Sequence, residues 1–147
     1  MRKIAFVLIL LVACVSVVAC GGGSNAPSNT SGGGGGGGTD QTTPDGTARM
    51  FLAAWEAGDA GKIADLFAPD EKEEQKTKFE SILKAINGRG NKPKGTIEPA
   101  KVEGETATFS SVSWEVDKDG KEVDKSKSPA RTTKLVKKDG KWWATGK

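Results

Sequence analysis

Few side chains in this sequence are equipped for chemistry. Histidine and tyrosine are absent, which removes the commonest general base, the commonest metal ligand and the phenolic acid. The carboxylates remain. Glu71, Glu73 and Glu74 alternate with Lys72 and Lys76 in a mixed run, which reads as a solvated helix face held partly by pairs four residues apart such as Glu74 with Lys78. With neither imidazole nor free thiol beside them, they make no convincing metal set. Asp65 and Glu56 could face a cavity on helices, but their spacing from Ile63, Leu66, Phe51 and Trp55 sets them on the wet side. No catalytic residue, metal ligand or cofactor is therefore assigned, and the chain is not expected to be an enzyme. The binding candidates are aromatic: Trp55, Trp114, Trp142 and Trp143. The last two are adjacent, so on a strand they point to opposite faces. One should fill the core, while the other anchors a partner or lies under a lysine stem.

The cysteines, Cys14 and Cys20, belong to a different chemistry. After Met1-Arg2-Lys3, residues 4–19 are almost wholly apolar, too short and wrongly flanked for a spanning helix but right for an export signal. Val17-Val18-Ala19-Cys20 resembles the lipobox of bacterial lipoproteins, in which the cysteine thiol takes a diacylglycerol. Leu11-Val12-Ala13-Cys14 fits the same pattern. Cys20 is preferred because cutting before Cys14 would leave Val15 to Val18 apolar on the product. Residues 1–19 are thus expected to be a signal peptide and Cys20 the lipidated first residue, with no disulfide. Acyl chains at one cysteine anchor stably, since each buried CH₂ contributes ~0.8 kcal/mol.

A tether follows. Residues 20–42 collapse to Gly, Ser, Thr, Asn and Pro, including an unbroken run over 32–38, and cannot bury enough apolar surface to fold. A Gly-rich coil of this length has a root-mean-square span of roughly 25–30 Å. No Gly-Lys-Ser/Thr follows the run, so it is not a phosphate loop.

The remaining residues, 43–147, read as one α+β domain. Thr43 caps a helix with Pro44 at its first position and Asp45 in its first turn. Ala48, Phe51, Leu52 and Trp55 recur on one face of it. Gly58-Asp59 breaks this helix, and Asp59 caps a short second one with Ala60, Ile63, Leu66 and Phe67, ended by Pro69. The spacing predicts a third helix capped by Asp70, carrying Phe79, Ile82, Leu83 and Ile86 and stopped by Gly88. Alternation then takes over. One short strand is expected near 96–101, with Pro99 marking an edge, and a longer one over 106–116. In the latter, Ala107 and Phe109 share a face whose phase slips before Val112, Trp114 and Val116, which suggests a β-bulge at Ser110-Ser111. Asp119-Gly120 reads as a turn. A strand over 130–137 joins Lys141-Trp142-Trp143-Ala144 through Asp139-Gly140.

Three helices followed by a bent antiparallel sheet, with Thr43-Pro44, Phe51-Leu52, Gly58-Asp59, Gly104 to Thr108 and Asp139-Gly140-Lys141-Trp142 in that order, resembles the nuclear-transport-factor-2-like (cystatin-like) superfamily. The similarity is greatest to its small bacterial lipoproteins, labelled lumazine-binding proteins or domains of unknown function. The resemblance implies a curved sheet wrapped round a helix as a cone. Enzymes of this fold line the cone with an Asp base and Tyr or Asp donors, and this chain has no tyrosine. Fold alone does not confer a reaction.

Lysines and arginines number 22 against 19 acids. Arg2 and Lys3 lie in the leader, so the product is nearly neutral and has no general pull toward nucleic acid. Lys118, Lys121, Lys125, Lys127, Lys134, Lys137, Lys138 and Lys141 make the C-terminal hairpins basic. That suits an anionic membrane or wall polymer, or equally solubility and edge protection. The sequence therefore leads to a non-catalytic extracytoplasmic module, lipid-anchored to the cell membrane at Cys20. It would bind a small molecule in the cone or an envelope protein, with a homodimer through the sheet as a further arrangement. The alternatives are an enzyme using buried carboxylates alone and an assembly factor with a filled cone.

Overall fold

The computed structural model describes residues 40–146. The expected leader over 1–19, Cys20 and the tether as far as residue 39 lie outside the described residues.

Helix α1 spans Pro44–Glu56 and begins as its sequence dictates, with Thr43 Oγ1 accepting from Gly46 N at 3.0 Å and Pro44 in the first turn. The N-cap of α2 (Ala60–Ala64) is Asp59, whose carboxylate takes the amide of Lys62 at 2.9 Å and is held below the usual carboxylate range by that bond. Leu66 and Phe67 lie beyond the end of α2, yet both are buried. Helix α3 spans Lys72–Gly88, and both expected ends shift. Glu71, not Asp70, occupies the N-cap and makes no side-chain cap. Gly88 is the last helical residue, and the left-handed glycine that turns the chain is Gly90 at φ 76°. A residue with no Cβ is favoured there because side chains resist positive φ.

Five strands follow: β1 (Lys92–Ile97), β2 (Lys101–Glu103), β3 (Thr106–Val116), β4 (Arg131–Lys138) and β5 (Lys141–Thr145). They form one antiparallel sheet in the order β1-β3-β4-β5, with β2 also pairing β3. The strand expected near 96–101 is in fact two, with Pro99 in the gap between β1 and β2. The hairpin between β4 and β5 is a two-residue turn, Asp139 at φ 53° and Gly140 at φ 76°, the positive pair that matches strand twist.

The bulge expected in β3 is absent. Its pairing with β4 runs unbroken from Thr106↔Val136 to Ser111↔Arg131, and its pairing with β1 from Ser111↔Ile97 to Val116↔Lys92. The one-residue offset lies instead on the partner side, since Ile97 faces Ser111 while Lys101 faces Thr108. Alternation is therefore intact. The face begun by Ala107 and Phe109 continues as Ser111, Ser113 and Glu115.

The core gathers Ile63, Leu66, Phe109 and Leu135, each almost fully buried, with Trp142 and Ala144 from the last strand. Burying one such large side chain contributes roughly 1.5–3 kcal/mol. Phe51 bridges helices and sheet, its ring centroid 5.8 Å from those of both Phe79 and Phe109. Edge strand β5 is closed off by main chain: Ala144 N donates to Leu66 O at 2.8 Å, Ala68 N to Ala144 O at 3.3 Å, and Trp142 N to Gln41 O at 2.7 Å. Among the described residues no helix is long and apolar enough to cross a membrane.

Candidate functional site

Helix α1 packs on β1 and α2, and α3 packs on α2 while meeting the sheet at β1. The inner face of β3 and β4 is left partly uncovered as a result. A cleft of about 690 Å³ opens there, large enough for a small molecule. Its aromatic side is Phe51, Trp55, Phe67 and Phe79 with Ile82 and Ile86, the residues whose helical spacing marked an inward face. Several of them are only half-buried, because they face a cavity rather than solid core. Opposite stand hydroxyls on the inner face, Ser111 and Ser113 of β3 and Thr133 of β4.

At one end sits Glu115. Arg89 grips its carboxylate with two groups, Nε to Oε2 at 3.2 Å and Nη2 to Oε1, and Asn91 Nδ2 donates to Oε2 at 2.7 Å. These bonds, Arg89's first, hold Glu115 below the usual carboxylate range against the opposing effect of burial. Arg131, at the start of β4, shares the inner face with Ser111 and is exposed at the mouth. Among the described residues it is in none of the ion pairs. The cleft thus offers an aromatic wall, a hydroxyl wall, a neutralised carboxylate and a guanidinium at its mouth.

The four tryptophans do not make one site. Trp55 lines the cleft and donates from Nε1 to Lys94 O at 3.1 Å. Trp142 fills the core at 5 % exposure. Trp143 and Trp114 alternate to the outer face: Lys141 Nζ lies 6.0 Å from the Trp143 ring and Lys127 Nζ 5.8 Å from that of Trp114. Trp114 also borders the cleft. The carboxylates seen in the sequence fall outside it. Asp65 is exposed and pairs with Lys72 at 2.6 Å, while Glu56 pairs with Lys94 at 3.5 Å. The pairing of Glu74 with Lys78 is not among the ion pairs of the described residues.

Glu71 departs most from expectation. It is 5 % exposed, not part of a solvated face, and its carboxylate accepts from Thr145 Oγ1 at 2.9 Å and Gly146 N at 2.7 Å. Beside it Gln75 is also buried. No group of three or more His, Cys, Asp or Glu among the described residues could hold a metal. The polar members of the cleft, Ser111, Ser113, Glu115 and Arg131, were not picked out from the sequence. The available signal was the unbroken period of two in β3, hidden because its inner face turns polar where the core gives way to the cavity.

The family model described as "NTF2-like N-terminal transpeptidase domain" matches residues 43–145. No curated protein matches the chain. Among solved structures, an NTF2-like protein with a cystatin-like fold from Novosphingobium aromaticivorans superposes with a TM-score of 0.52 at 18% identity, covering 67% of this chain and 72% of its own. A cystatin-like domain of unknown function from Nostoc punctiforme gives 0.53 at 15%, with 67% and 68% covered. Aln2 from a Streptomyces species gives 0.53 at 10%, with 67% and 80% covered. At these identities the likeness is one of fold.

Proposed function

Because the chain belongs to the family of NTF2-like N-terminal transpeptidase domains, we propose that it is a non-catalytic binding module, tethered by lipid at Cys20 to the outer side of a cell membrane, that takes a small amphipathic anion into its cleft. The observation that carries this reading is the cleft itself, aromatic on the helix side, hydroxyl-lined on the sheet side, with Arg131 exposed at its mouth. An apolar body would pack against Phe51, Trp55 and Phe79, and its acidic group would meet the guanidinium, which favours bidentate contact with carboxylate or phosphate. The enzyme alternative needs a carboxylate poised near neutral pH. Glu115, held ionised by Arg89 and Asn91, is tuned the other way. The family's description also supports an envelope protein as partner, since it sets such domains beside transpeptidases.

The test is intrinsic tryptophan fluorescence of residues 21–147, titrated with anilinonaphthalene sulfonate and then with pteridines and flavin precursors. We expect saturable quenching that Ser113→Phe abolishes by filling the cleft. Arg131→Gln should weaken anion binding about tenfold, the loss of one charge-assisted contact. A folded protein that shows no saturable change would overturn the ligand reading and leave the envelope partner. The tether is tested separately, by incorporation of labelled fatty acid into the full chain. Cys20→Ser should abolish labelling, and unchanged labelling would overturn the assignment.

A further inference from the structure

The face of the sheet turned away from the cleft has a composition of its own. Strand register assigns its members: Lys94 pairs with Trp114, Lys101 and Lys134 with Thr108, Val136 with Trp143, and Lys138 with Lys141. That it faces outward follows from Gly95, the neighbour of Lys94, where an added Cβ would meet Leu52 Cδ1 of α1 at 3.1 Å. By register Lys92, Lys94, Lys101, Lys134, Lys138 and Lys141 belong to this face and are exposed, Lys134 and Trp114 also reaching the rim of the cleft, and Glu103 is the one acid among the strand residues that share it. Of the six lysines only Lys94 forms an ion pair among the described residues, with Glu56. Apart from Glu115 on the cleft side, the other acids are spread over α1, α3, the loops and the turn after β3, where Asp119 pairs with Lys118. The strands of a nearly neutral chain thus carry an excess of positive charge on this one face.

Two tryptophans stand among those lysines, each half-buried with an ammonium over its ring: Trp114 with Lys127 and Trp143 with Lys141. Indole beside lysine is the pairing enriched where protein meets lipid headgroups, because the ring lies in the interface and the ammonium meets phosphate. We infer that the outer face of the sheet docks on an anionic phospholipid surface, laying Trp114 and Trp143 among the headgroups and leaving the cleft on the opposite face open to solvent. A lipid surface fits better than a protein edge or a nucleic-acid groove, since the charge is spread across four strands rather than drawn into one line. The contact does not depend on lipidation, although an anchor at Cys20 would raise the local concentration of lipid and let a weak contact suffice.

Residues 21–147, lacking lipid and leader, are incubated with vesicles of phosphatidylglycerol and phosphatidylcholine in equal parts and with vesicles of phosphatidylcholine alone, then sedimented. Binding is expected to the anionic vesicles only, and to fall steeply with salt. Replacing Lys101, Lys138 and Lys141 together by Gln should weaken it about a hundredfold, each lysine near a charged surface contributing roughly a fivefold factor. The same number of replacements on the helices, Lys62, Lys78 and Lys84 to Gln, should leave it unchanged at equal net charge. Brominated lipid should quench the wild type, and quenching should fall in the Trp143→Phe variant. Circular dichroism confirms that each variant is folded. Equal weakening by both lysine sets would overturn the assignment to this face, and equal binding to neutral vesicles would overturn its electrostatic basis. Absence of vesicle binding would overturn the proposal outright, including the case in which a soluble polyglycerolphosphate binds instead. Failure of the cleft to bind a ligand would leave this result untouched.

Discussion

The carboxylate of Glu71 accepts from Thr145 Oγ1 and Gly146 N while almost wholly buried, so it fastens the end of β5 to the start of α3. Glu71→Ala should lower stability by about 1.5–3 kcal/mol, the range for buried hydrogen bonds to a charged group. Urea unfolding measures it, and a change no larger than that of Glu73→Ala would contradict the role. Glu115 makes a different prediction. Its folded pKa is depressed by Arg89 and Asn91, so the stability it contributes is present above the ordinary carboxylate range and drains away as pH falls through the depressed value. Glu115→Gln should cost about 1 kcal/mol near neutrality, since Arg89 is half exposed. It should also flatten the acid limb of the stability profile, and an unchanged limb would show that other carboxylates set it. Neither role was legible in the sequence. Glu71 stands in a run of charged neighbours that local pattern assigns to solvent, and only its distance to residue 145 in space, not along the chain, makes it a fastening. The four tryptophans were more legible, because adjacency in β5 forces Trp142 and Trp143 apart.

Helix starts were readable where they depend on nearby atoms and misread where a distant contact decides. Thr43 and Asp59 cap helices through amides three residues on, a contact written into the local sequence. At α3 the cap position belongs to Glu71 because its side chain is drawn toward β5, and the stop falls to Gly90 rather than Gly88. The two glycines should therefore respond oppositely. Gly90→Ala should destabilise by roughly 1–2 kcal/mol, since its φ is positive. Gly88→Ala, helical and with open space around its Cβ, should stabilise by up to about 1 kcal/mol. Thermal denaturation of the pair decides it, and a shift of the same sign in both would put the stop elsewhere. In β3 the hydrophobic pattern broke where the geometry did not. Ser111, Ser113 and Glu115 keep the inward phase, and they are polar because what lies inward there is an opening. A pattern reader that equates inward with apolar will invent a bulge at the rim of every such cavity.

Taken whole, the described chain puts an amphipathic cleft on one side of a sheet and a lysine-rich aromatic face on the other. The order of three helices and an antiparallel sheet was visible from the change of period after Asn91. The openness of the cleft was not, since it depends on where α3 leaves the sheet. The fold also draws the two ends of the described residues together: Trp142 N donates to Gln41 O, and Gln41 Nε2 and Thr47 Oγ1 both donate to Trp142 O. A protein begun at Thr43 should lose about 1–2 kcal/mol relative to one begun at Asp40, and equal melting temperatures would show the clasp to be idle. This closure bears on the timing of biosynthesis. Trp142 and Ala144 complete the core, and β5 is the last of the described strands to be made, so helices made long before it have no finished surface to pack on. Contacts of such long sequence separation form late and slowly. A nascent chain of this design has no finished core until β5 has been made, so its helices and earlier strands stay open meanwhile to whatever binds unfolded chain.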